Sequence, residues 1–159
     1  MTGAHPLLRH LLATAAYRTQ KALRGAPPGF GDFQAAAGAR TPRELVHHMS
    51  TVLAWAVAAL RGEAPAPPEP ATDLGSEVER FHVTLQRLAD LFQGGLPKRD
   101  DTAARLLQGP LADVLTHVGQ LALLRRLAGA PVPGESFFAA EIDAENVGPD
   151  QPLPAEPLR

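Results

Sequence analysis

Asp113 and His117 stand four residues apart in LADVLTHVGQLALLRRLAG, the run from Leu111 to Gly129. On a helix that spacing sets a carboxylate and an imidazole one above the other on the same face. Most of the run is apolar, and the polar residues of its first half share one stripe: Asp113, Thr116, His117 and Gln120. A carboxylate beside an imidazole on a largely buried helix suits two ligands of a metal ion, with a third supplied from elsewhere. The competing reading is the solvent face of an amphipathic helix. Leu124 and Leu127 continue the stripe, whereas a purely solvent-facing stripe would stay polar.

His48 is the natural third ligand. In TPRELVHHMSTVLAW it shares a helical stripe with Val52, Trp55 and Ala59, beside the apolar face. Its neighbour His47 points about 100° away, so the two histidines are not equivalent. Two imidazoles and one carboxylate suit zinc with an open coordination position. The same set suits non-haem iron, and nickel or manganese remain alternatives. Gln120 is expected to brace a ligand or touch a substrate. Trp55 is expected in the core, with a pocket wall as the lesser alternative. His5, His10, His47 and His82 are expected at the surface or an edge, with His10 a reserve ligand near the edge of the first helix's apolar face. Arg125 and Arg126 sit near a helix C-terminus, where cations are favoured in any case.

Four long helices are expected to position these groups. The first runs from about Pro6 to Arg24, with Leu8, Leu11, Leu12 and Ala15 inward, and stops at Gly25-Ala-Pro-Pro-Gly. A Gly/Ala-rich connection follows, with a short turn between Phe30 and Ala37. The second starts at the capping box Thr41-Pro42-Arg43-Glu44 and ends at Gly62. APAPPEP is then a stiff linker. The third starts at a second box, Ser76 to Glu79, carries the seam Val78, Phe81, Leu85, Leu88 and Phe92, and stops at Gly94-Gly95. After the polar connection Lys98 to Asp101, Thr102 to Leu107 forms a turn that Gly109-Pro110 breaks or kinks before the last helix. A short helical piece is expected from Glu135 to Ile142, and the tail from about residue 143 is expected to be loosely ordered. The sum is an all-α four-helix bundle, one domain over residues 1–159.

Composition narrows the function. Aromatic residues make up 5% of the chain, so Leu, Ala and Val must build the core, as in packed helices. The net charge is -2 with the signs interspersed, and no basic patch points to nucleic acid. There are no cysteines, which excludes disulfides and a thiol nucleophile of its own; thiol chemistry would need an external thiol. No run approaches the ~18 apolar residues of a membrane span. Arg9 and His10 interrupt the N-terminal apolar run, which reads as the first helix of a cytoplasmic protein.

THVGQLALLRRLAGAPVP resembles the last core helix of the DinB-like superfamily, where His-Arg-Gly-Gln leads into a Leu-Arg pair and a Gly-x-Pro exit. TPRELVHHMSTVLAW resembles that family's second helix, and ENVGPDQ a closing segment of some members. The resemblance spans roughly Pro6 to Gln151. It implies an up-down-down-up bundle, usually a homodimer, holding a divalent metal on three histidines. One comes from the second helix and falls on His48; the other two form a His-x-x-x-His pair and fall on Asp113 and His117. Asp113 thus replaces a histidine, keeps its spacing and changes the charge of the site, and Val118 stands where arginine is common. The family includes thiol-dependent enzymes, a mycothiol-dependent maleylpyruvate isomerase and bacillithiol S-transferases. The expectations are therefore a metal-dependent transferase or hydrolase with a low-molecular-weight thiol as cosubstrate, or a non-catalytic, partner-binding bundle with a degenerate site.

Overall fold

Proline sits in the first turn of α1 (Ala4–Leu23) and glycine just past its end, where Gly25 adopts a φ of 64°. These coordinates form a computed structural model that describes residues 4–94 and 101–155; Gly95, Pro97 and Lys98 lie outside the described residues, as does the side chain of His5. α2 (Pro42–Arg61) begins at a complete capping box: the Thr41 hydroxyl accepts from the Glu44 amide at 3.3 Å, and the Glu44 carboxylate accepts from the Thr41 amide at 2.8 Å. It ends at Gly62, whose φ of 70° lets its N–H reach the carbonyls of Ala58 and Ala59.

α3 (Leu74–Gln93) starts two residues before the expected Ser76 box. Asp73 is the cap, accepting from the Ser76 amide at 2.9 Å and from the Ser76 hydroxyl at 2.7 Å. A carboxylate suits the positive end of a helix better than a hydroxyl does. Glu77 is meanwhile drawn fully inside, held by Arg80, His47 and the Ala71 amide.

At Gly109-Pro110, where a break or a kink is expected, the helix does not break. α4 (Thr102–Leu106) passes through a π-turn (Leu107–Leu111) into α5 (Ala112–Leu127) as one rod. Pro110 has no N–H and crowds the carbonyl one turn back; widening the turn to i→i−5 bonds accommodates both. The expected helix over Glu135 to Ile142 is also absent, reduced to a turn at 137–139. So short a piece has too few bonds to nucleate, and the Glu135 carboxylate is engaged elsewhere. A 3-10 turn at Phe30–Asp32 is the only regular element in the first connection.

Among the described residues there are four long helical rods and no strand, an all-helical bundle. The expected seam of α3 is buried at Phe81, Leu85, Leu88 and Phe92, against Leu12, Met49, Leu53 and Leu121. Each such side chain contributes roughly 1.5–3 kcal/mol by leaving water. α2 meets α3 where His47 faces Glu77, and α1 meets α5 where Arg125 reaches the Ala22 carbonyl.

The segment from residue 143 to residue 155 packs back on the bundle instead of trailing loosely. Val147 is buried, its carbonyl accepts from His82 at 2.8 Å, and Arg24 donates to the Gln151 carbonyl at 2.7 Å. His82, expected at an edge, is therefore buried, with Gln20 on its other ring nitrogen. No helix among the described residues is long and apolar enough to cross a membrane.

Candidate metal centre

The capped start of α2 fixes the phase of His48, and the rod α4–α5 fixes Asp113 and His117. Across the seam between them, His48 Nε2 lies 3.3 Å from Asp113 Oδ2, and His117 Nε2 lies 3.5 Å from Asp113 Oδ1. The two imidazoles meet edge to face, ring centres 4.8 Å apart. All three ligand atoms fall within 4.8 Å of one another, which makes a group that could hold a metal ion. Bonds of about 2.0–2.1 Å in a tetrahedral zinc site put neighbouring ligand atoms roughly 3.4 Å apart, close to both separations. Those separations exceed the ~2.7–2.9 Å of a direct charge-assisted hydrogen bond.

Gln120 lies one turn on from His117, its Oε1 3.0 Å from His117 Nδ1. When Nδ1 donates to that oxygen, Nε2 is left as the lone-pair nitrogen, the form a metal ligand needs. His48 is held below its ordinary pKa, first by burial, then by the Arg40 and His117 charges, with Asp113 pulling the other way. A neutral imidazole keeps its lone pair for a metal. Side-chain exposure of 41% for Asp113 and 10% for His117 leaves one flank open to a small molecule.

Trp55 is not in the core but takes the lesser alternative: it is 49% exposed and lines a cavity of about 420 Å³. Val52, Ala56, Leu60, Leu106 and Pro110 complete this apolar groove. Val52, its lining residue nearest His48 along α2, is one helical turn from it. On the other flank, Gln34, Arg40, Glu44 and His48 line a polar hollow of about 440 Å³. The sequence reading missed Arg40, which precedes the helix and so has no helical spacing to flag it.

His10, His47 and His82 take no part in the group. His47 turns to Glu77 Oε1 at 3.1 Å, His82 lies inside near the C-terminal segment, and His10 is exposed on α1. Among the described residues, His48, Asp113 and His117 are the single group of three or more such ligands. Comparison of the chain with known protein families, with curated proteins and with solved structures finds no match.

Proposed function

We propose that this protein is a metal-dependent enzyme of the DinB-like superfamily, in which His48, Asp113 and His117 hold a divalent ion, zinc first. The reaction is transfer of a low-molecular-weight thiol to an electrophile, or a hydrolysis. One observation carries the reading: two imidazole nitrogens converge on the two oxygens of one carboxylate at 3.3 and 3.5 Å, with Gln120 behind His117. A bound divalent ion would supply the positive charge that lowers the pKa of a thiol or water beside it.

The chain's own residues do the rest. Gln120 fixes the tautomer of His117. Asp113 offsets part of the ion's charge. The Trp55 groove takes an apolar part of the substrate and keeps water from it, and Arg40 favours an anionic group on the opposite flank.

The up-down-down-up order belongs to the same proposal. It is supported by Ala22 facing Arg125, by His47 facing Glu77 while Ala58 and Arg87 share a cavity, and by Leu60 sharing the groove with Thr102. We further propose one domain, acting as a cytoplasmic homodimer. Tag-free protein reconstituted with zinc should retain about one ion per chain. His117→Ala and Asp113→Ala should each lose it. Only trace amounts of every transition metal after reconstitution would overturn the reading. Loaded protein is then screened with low-molecular-weight thiols and electrophiles, where turnover separates an enzyme from a metal-stabilised bundle.

A further inference from the structure

The face of α5 turned away from His117 borders a second cleft. Leu115, Gly119, Ala122 and Arg126 fall about 140–180° around the helix from His117, and Val118 about 100°, at about 100° per residue. With Arg18 and Lys21 of α1 and the segment from Val132 to Phe137 they enclose about 340 Å³. That is the lower end of the ~300–1,000 Å³ of small-molecule sites.

The charges of this cleft are unevenly spent. Lys21 pairs with Glu135 at 2.6 Å, and the Glu135 carboxylate, fully enclosed, also accepts from the Tyr17 hydroxyl and the Ala155 amide. Glu135 thus anchors the wall segment, its carboxylate engaged by three donors. Arg18 and Arg126 form no ion pair among the described residues. The Arg18 guanidinium lies over the Phe137 ring, 3.8 Å from its centre. Its Nε is buried and has no hydrogen-bond partner. No hydrogen bond from the guanidinium to a described residue competes for its terminal N–H groups, which are left for an incoming anion. Across from it, a Cβ added at Gly119 would meet nothing within 4 Å, so the space above the α5 backbone is open.

We propose that this cleft binds a small carboxylic acid with a compact apolar body. The carboxylate sits between Arg18 and Arg126, and the body lies on Val118, Gly119 and Ala122 under Phe137. Guanidinium forks match the planar carboxylate. The largely apolar wall disfavours a bare inorganic anion, which would lose hydration against it. The α5 backbone separates this cleft from the candidate metal centre, so binding here does not depend on a metal.

The test is calorimetric titration of the full chain with benzoate, with benzamide as the neutral counterpart and inorganic phosphate as the bare anion. Amide resonances of Gly119 and Ala122 are followed in parallel. Benzoate should bind saturably and shift both resonances, with benzamide about tenfold weaker or worse. Arg18→Gln and Arg126→Gln should each weaken benzoate about tenfold. Gly119→Leu fills the open space without touching a charge, and should abolish benzoate binding while leaving the helix intact. The proposal is overturned if benzoate does not bind at millimolar concentration. It is equally overturned if phosphate binds and benzoate does not, or if Gly119→Leu binds benzoate as the unaltered chain does.

Discussion

Asp113 decides the character of the candidate site, because it faces both imidazoles at once. A carboxylate there lowers the net charge and adds a hard oxygen ligand to two borderline nitrogens. Asp113→His should therefore keep zinc binding and weaken manganese by about tenfold, whereas Asp113→Ala should lose both; competition titration distinguishes them. The pairing of Asp113 with His117 was legible as a four-residue step on one helix. The burial of His82 was not, because its partners Gln20 and Val147 lie far off in the chain in opposite directions. His82 is held below its ordinary value of 6.5, chiefly by burial. As pH falls through that value the unfolded chain takes up a proton that the folded chain still refuses. Stability is thus fully present above about 6.5 and declines as pH drops toward the lowered folded pKa. His48 is shifted the same way and adds to the decline. Thermal melts of metal-free protein should show a smaller acid decline for His82→Gln, an amide that can still donate to the Val147 carbonyl.

At the scale of elements, the site depends on where α2 begins and how the last rod passes its proline. Thr41 starts α2 two turns before His48. Thr41→Ala should cost about 1 kcal/mol in denaturant melts and weaken metal binding through fraying of that end. Both ends of α2 were readable because Thr-Pro-x-Glu and glycine are local signals. Leu107–Leu111 was not, since a proline within an apolar helical pattern reads as a stop and only packing on both sides carries the helix through it. Removing Gly109 would return the turn to α-helical spacing and swing α4 by about 100° against α5. That takes Leu106, 5% exposed, out of its contacts. The deletion should lower the urea midpoint far more than Pro110→Ala, which leaves the register alone.

At the scale of the whole molecule, Arg125 ties the end of the first helix to the end of the last. At 4% exposure it donates to the carbonyls of Ala22, Arg24, Gly25 and Ala130. It thus satisfies the orphan acceptors and negative dipole at the end of α1. Arg125→Ala should cost about 2–4 kcal/mol by urea unfolding, and lysine, lacking the fork, should recover only part of it. Helix number, seams and stops came through in the sequence because each is written within twenty residues. Arg125 was legible only as a cation near a helix end, and Trp55 only as an apolar side chain, since their true surroundings come from other rods. The chain has one tryptophan and one tyrosine: Trp55 borders the groove, whereas Tyr17 is buried. The molecule therefore carries one optical reporter at the site and a phenol shielded from it. Emission from half-exposed Trp55 should be quenched when copper or nickel occupies the triad two turns away, and should shift when the groove fills. Tyr17, its phenol pushed up to about 12 by burial and by Glu135, should remain un-ionised through an alkaline absorbance titration well past the ordinary 10.0, and so stay silent while the tryptophan reports.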